Sequence, residues 1–328
     1  MRASVLGLVA GLALATAPLA HAQDKPIGDR LYDVVVSGLP NGPVAGHRAN
    51  HIKGAVFEGS FAASAEAAGL SVAQHLQGGK IPLVIRFSDV GGIPNVPDNS
   101  PSTSIRAMAF TFSLPDGTKT SLICINMPFF IAKTPEDFIG LNLAGQSKAP
   151  KDVHPTPFEQ WAAAHPETKT FLGFPRPMPV SFGTQDYYAI HAYRLTDASG
   201  VSNFVRFHIV PDAGRQFFTP DDAAKTAPNE LIDDIRARVA RAPVTYRLEA
   251  QIAEPGDPTN DPTISWPDSR KVVNLGTISV TSAVADNDAA EKSLVFMPNQ
   301  AVKGLALSAD PFLEARAAVY QVGFDKRK

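Results

Sequence analysis

An antiparallel β-barrel with helical excursions, a single domain of the α+β class, is the fold this sequence implies, and three observations point to it. Segments with apolar and polar residues in alternation recur from Leu83 onward, the period-two spacing of half-buried strands. Short turn sequences, Pro115-Asp116-Gly117 and Asp197-Ala198-Ser199-Gly200, join consecutive strands, so the pairings are local and antiparallel. Helix patterns fall between and after the strands without the strict strand–helix alternation of a doubly wound sheet.

Taken in order, the Ala-rich stretch Phe61–Leu76 predicts a helix, and Leu83–Ser88 the first clear strand. Ser104–Phe112 and Thr120–Asn126 form a hairpin around the Pro-Asp-Gly turn, and Pro157–His165 reads as a short helix. Tyr187–Tyr193 and Asn203–Ile209 make a second hairpin. Glu230–Ala242 puts Leu231, Ile235 and Val239 on one helical face, with Arg236, Arg238 and Arg241 toward the C-terminal end, where the helix dipole favours cations. Strands follow at Thr245–Ile252 and Val272–Val280. The last helix opens on Asp310 as N-cap with Pro311 in the first turn, and runs past Tyr320. No fixed-period repeat and no Ser/Gly-rich linker divides the chain, so residues 23–328 read as one domain.

Composition sets the limits on function. Of 328 residues, 44% are apolar, which suits a globular core rather than a disordered chain. Basic and acidic residues number 30 and 32, and that balance lacks the cationic excess that nucleic-acid binding requires. Met1-Arg2, the apolar run Ala3–Ala20 and the small-x-small site Ala20-His21-Ala22 read as a signal peptide over residues 1–22, predicting export to the periplasm. No later stretch has spanning length, so the mature chain is expected to carry no membrane anchor. Cys124, the single cysteine, rules out an intramolecular disulfide and sits in an apolar run that predicts burial.

Spacing alone yields little chemistry. There is no nucleophile elbow, phosphate loop or dinucleotide fingerprint, which leaves an exported hydrolase with little support. His47 and His51 are four residues apart, but the following Ile-Lys-Gly-Ala does not continue a helix, so the two are read as independent. More emerges from four strings in fixed order: Arg48-Ala-Asn-His51-Ile-Lys-Gly54, Val84-Ile-Arg86-Phe-Ser88, Asn126-Met-Pro-Phe-Phe130, and Asp310 followed by Arg316 and Tyr320. Together they resemble the haem-containing catalase family, specifically its short exported branch, the catalase-related peroxidases. Ser104–Gly117 and Asn203–His208 also resemble strands of that family, so the likeness runs from Gly46 to Tyr320.

The resemblance implies a catalase-like barrel with a tyrosine-bearing C-terminal helix, and haem b (iron protoporphyrin IX) as cofactor. Tyr320 is then the proximal iron ligand through its phenolate. Arg316, one helical turn earlier, favours that anion by opposite charge, with His208 and Asp310 buttressing the arginine. His51 becomes the distal acid–base group, oriented by Ser88, with Asn126 as the distal amide. Arg48 and Arg86 pair with the haem propionates, since a planar guanidinium suits a carboxylate. Phe130, with Phe129 and Phe138, walls the distal side.

Substrates implied by the likeness are hydrogen peroxide or organic peroxides with a small organic electron donor, and weak catalase activity beside peroxidase turnover. The predicted mature chain starts shortly before His51 and stops shortly after Tyr320, so a monomer or small homo-oligomer is expected rather than an interlocked tetramer. The same brevity predicts a more open haem. Met127 stands where the family has Thr, and Lys133 where Arg is common. The competing reading is a periplasmic barrel that binds haem or another lipophile without turnover.

Overall fold

The computed structural model describes residues 25–328; the predicted export signal lies outside them. Eight antiparallel strands close into a barrel: β1 (Gly54–Ala63), β2 (Lys80–Asp89), β3 (Arg106–Ser113), β4 (Lys119–Ile125), β5 (Tyr187–Thr196), β6 (Ser202–Pro211), β7 (Val244–Ile252) and β8 (Val272–Ala283). Their order around the barrel is β4-β3-β2-β1-β8-β7-β6-β5, and the pairing of Ile125 with Tyr188 closes the ring. A short β9 (Leu305–Leu307) pairs with the other end of β5.

Turn chemistry sets the two predicted hairpins. Gly117 takes φ +84° and its amide donates to the Leu114 carbonyl at 3.0 Å, while Asp116 accepts from the Thr118 amide at 2.9 Å. At the second turn the Asp197 carboxylate accepts from the Ser199 and Val201 amides at 2.8 and 2.9 Å.

Alternation then fills the barrel. Phe57, Phe61, Phe87, Phe110, Phe112, Tyr187 and Tyr246 are buried inside it, with Phe87 lying 5.4 Å from Phe182 in a stack. Cys124 joins that core, and burial pushes its thiol pKa up. On β3, Met108 and Phe110 belong to the interior, so the alternate Ala107 and Ala109 present small side chains on the outer face.

The helix predicted over Phe61–Leu76 is not there. Its first three residues finish β1, and two single turns of 3₁₀ helix, Ala67–Gly69 and Gln74–Leu76, follow. Phe61 pairs with Ile81 of β2 on one side and Ile278 of β8 on the other, and this two-sided ladder overrides the helical preference of alanine.

Helices cover one side of the barrel and its ends: α1 (Ile27–Ser37), α2 (Pro135–Gly145), α3 (Pro157–Ala164), α4 (Pro166–Gly173), α5 (Pro220–Ala223), α6 (Glu230–Arg241), α7 (Asn287–Ser293) and α8 (Pro311–Asp325). Thr134 and Thr156 close capping boxes with Asp137 and Glu159, and Asp310 caps α8 as predicted. α1 lies directly on α8. A Cβ added at Gly28 would come within 2.8 Å of the Ala318 backbone, so only glycine allows this approach. No helix among the described residues is long and apolar enough to cross a membrane.

Candidate active site

Between the outer face of β2–β5 and the layer formed by α1, α2 and α8 lies a cavity of about 400 Å³. Its walls are mainly apolar: Ala107, Ala109, Ile123 and Ile125 from the sheet, Leu31, Phe138 and Leu141 from helices, and Phe130, Phe296 and Phe312. Phe130 stacks on Phe138 at 5.8 Å and meets Phe312 edge-on at 5.1 Å. Phe129 instead packs with Met127 and Phe171 in a small separate core.

Tyr320 reaches the cavity from α8. Arg316 Nε donates to its phenolic oxygen at 2.9 Å, so the arginine supplies both a proton donor and a positive charge at that oxygen. Arg316 Nη1 donates in turn to His191 Nε2 at 2.7 Å. With Nε2 accepting, the His191 proton sits on Nδ1 and is donated to Asp310 Oδ2, also at 2.7 Å. Burial holds the His191 pKa below the ordinary histidine value, which keeps the ring neutral beside Arg316. Asp310 uses its other oxygen to cap α8 at the Phe312 amide, so one carboxylate orients both the helix and the histidine.

The buttress expected from His208 is therefore made by His191. His208 lies on the outer face of β6, stacked on Tyr188 at 4.3 Å and 3.2 Å from Asp186. Strict alternation would put His191 inside the barrel with Ala189 and Tyr193. The β5–β6 register slips between those two residues, and the bulge re-aims His191 at Arg316.

His51 enters the same cavity from the loop ahead of β1. Its φ is +53°, the left-handed conformation, and the Asn50 side chain holds it there by accepting from the His51 and Gly91 amides at 2.9 and 2.8 Å. Nδ1 meets Ser88 Oγ at 3.2 Å, the contact expected of Ser88. Burial, then the positive charges of Arg86, Arg316 and Arg48, push the His51 pKa down to about 3, so the imidazole is a free base at neutral pH.

Asn126, expected as the distal amide, is not among the residues that line the cavity. Its Oδ1 accepts from the Arg106 amide and its Nδ2 donates to the Ser104 carbonyl, both at 3.0 Å, which commits the amide to the end of β3. The preceding Ile125 lines the cavity in its place.

Three arginines rim the mouth. Arg48 and Arg86 were expected there; Arg327 joins them, and its place in the series Arg316, Tyr320, Gly323, Arg327 was a readable helical signal. Arg86 Nη2 donates to the His51 carbonyl at 2.7 Å, Arg327 Nε is buried without a partner among the described residues, and burial pushes both pKa values down to about 10. Glu291 of α7, which sequence patterns did not mark, accepts from Nε of both Arg48 and Arg86.

These residues fit a haem. The walls suit an apolar macrocycle, Ala107 and Ala109 leave room against the sheet, and spare guanidinium N–H groups at the rim suit its carboxylates. Tyr320, backed by Arg316, offers the kind of hard oxygen donor that could ligate its iron. Fold and site thus define a closed-barrel protein with an arginine-rimmed apolar cavity carrying a phenol and an imidazole.

Comparison with known proteins gives the same class. The family model described as Catalase matches residues 44–327. A catalase-related peroxidase of Mycolicibacterium paratuberculosis is 34% identical over 87% of this chain and 90% of its own length, and one of Synechococcus elongatus is 30% identical over 99% and 95%. A Streptomyces coelicolor catalase is 28% identical over 83% of the chain, which spans 59% of it. A fungal catalase crystal structure superposes with a TM-score of 0.74 at 20% identity, covering 86% of this chain and 59% of that one. The chain belongs to the catalase family. Members of that family generally bind haem.

Proposed function

We propose that the protein is a haem b peroxidase that reduces hydrogen peroxide or organic peroxides at the expense of a small organic donor, with weaker catalase activity. The observation that carries this reading is the relay Asp310–His191–Arg316–Tyr320 ending in the same cavity as the His51–Ser88 pair. The similarity to catalase-related peroxidases at 34% and 30% identity supports a peroxide substrate.

Haem bound here would supply the redox equivalents for O–O cleavage. The chain's own residues then have separable tasks. Arg316 donates to the Tyr320 oxygen and sets a positive charge beside it, and His191 fixes the arginine's orientation. His51, with Nδ1 occupied by Ser88, has Nε2 left to take the proton from one peroxide oxygen and return it to the other. Arg48, Arg86 and Arg327 hold the carboxylate edge. The apolar walls restrict water around the reacting oxygens.

Purified protein supplemented with hemin is expected to give a high-spin ferric spectrum. It should consume peroxide faster when an aromatic donor is present than by oxygen evolution alone. In His51→Ala the spectrum should persist while peroxide cleavage is lost; in Tyr320→Phe the tyrosinate signature should vanish. Unchanged peroxide consumption in His51→Ala would remove the acid–base role of His51, and a wild type that binds hemin but consumes peroxide no faster than free hemin would instead mark a haem-binding barrel without turnover. Export to the periplasm is proposed on the Met1–Ala22 pattern, and N-terminal sequencing of the secreted protein should begin at Gln23.

A further inference from the structure

Glu291 has no role in the proposed reaction, yet it is a built feature. The Asn287 side chain pins α7 to β1, accepting from the Val56 amide at 2.9 Å and donating to the Gly54 carbonyl at 3.4 Å. Glu291 lies one helical turn further on, on the same face. One of its oxygens accepts from Arg48 Nε at 2.9 Å and the other from Arg86 Nε. Just past the helix, the Leu294 carbonyl accepts from Nη2 of both Arg48 and Arg327. A single short segment therefore holds three guanidinium groups that come from before β1, from β2 and from beyond α8.

What these contacts leave unused is informative. Among the described residues, Nη1 of Arg48, of Arg86 and of Arg327 has no protein partner, and all three arginines line the cavity. The charges count as three arginines against one glutamate. Outside the rim, in the smaller polar cavity that shares Arg48, Glu291 and Arg327, Arg236 and Lys292 face Asp233 and Asp288 in equal number, and Lys53 is paired with the buried Asp98. The excess at the rim is two positive charges.

We propose that Glu291 is a resident counter-ion. It reduces the three-arginine rim to a net double positive charge that matches a porphyrin dicarboxylate, and it stays on Arg48 and Arg86 when the porphyrin binds. This rests on the haem reading above. Without Glu291 the arginines would repel one another in the empty protein, and the dicarboxylate would meet a threefold positive rim. Apoprotein stability and cofactor affinity therefore respond to its charge in opposite directions. A merely structural glutamate would move both the same way.

The test uses the full chain, hemin and hemin dimethyl ester. Glu291→Gln should lower the melting temperature of the haem-free protein, and added salt should shrink that deficit. It should bind hemin about tenfold tighter, since one unit charge near a partly buried carboxylate is worth that order. The gain should vanish for the dimethyl ester, which has no carboxylates, and Arg327→Gln in the Glu291→Gln background should reverse it. Glu291→Asp, which keeps the charge, should bind hemin like the wild type. Unchanged or weaker hemin binding by Glu291→Gln overturns the proposal. Failure of the wild type to bind hemin at all would instead count against the haem reading, and the salt-dependent melts would still decide the counter-ion role.

Discussion

At the scale of single residues, the site is a set of groups whose protonation is fixed by their surroundings. With its pKa pushed down to about 3, His51 is expected to stay a free base through the physiological range. The rate of the first reaction with peroxide should then be flat from pH 5 to 8, where an ordinary histidine would lose activity on falling below about 6.5. His51→Ala should lower that rate by about 10²- to 10⁴-fold, the usual worth of a positioned acid–base group; stopped-flow absorbance measures both. Asn126→Ala should behave differently. Its amide bonds two backbone groups at the end of β3, so the variant should lose about 1–3 kcal/mol of stability in chemical denaturation. Its peroxide rate should fall far less than that of His51→Ala. A drop as large in Asn126→Ala would restore the distal-amide role.

At the scale of elements, α8 carries Arg316 and Tyr320, and its position depends on what it rests against. Replacing Gly28 of α1 by alanine places a Cβ against the Ala318 backbone, a contact that only a shift of the helices relieves. Gly28→Ala should cost about 1–3 kcal/mol, as overpacking usually does. It should also speed hemin loss, because α1 contributes Leu31, Tyr32 and Val35 to the cavity and α8 the tyrosine; hemin transfer to a scavenger protein measures that.

The strands and hairpins were legible in the sequence because alternation and turn residues are local signals, and the cap at Asp310 was equally local. β1 was not legible, since its apolar side is carried by Ala55, Phe57 and Phe61 among glycine, serine and alanine. Of the site, the pair His51–Ser88, the pair Arg316–Tyr320 and the rim arginines Arg48 and Arg86 followed from short strings. His191 was hidden by a bulge that reverses its facing, and Glu291 by lying on a short helix far from the arginines in sequence. Neither signal exists before the chain is folded.

At the scale of the whole molecule, the titration of buried groups sets a pH of greatest stability. His51 and His75 have pKa values pushed down to about 3 and about 4, mainly by burial, and that of His191 is also lowered. Each takes up a proton near 6.5 when unfolded but only at lower pH when folded. Their stabilising contribution is full above about pH 6.5 and is lost as the pH falls toward the folded values. Asp89 runs the other way. Burial beside Asp98 pushes its pKa up to about 8, so it stabilises the folded state only at low pH, and that contribution drains away between about pH 4 and 8. His51 and His75 against Asp89 leave a net of roughly one proton, or about 1.4 kcal/mol per pH unit, gained from about pH 4.5 to 6, and His191 adds in the same direction. Above that only Asp89 is still changing, and stability should decline gently up to pH 8. Urea denaturation of the haem-free protein from pH 4 to 9 should therefore show a maximum close to pH 7. A curve still rising at pH 8 would mean that Asp89 is ionised in the folded protein. Its carboxylate would then be fully paired with Arg106 across the present 3.7 Å gap.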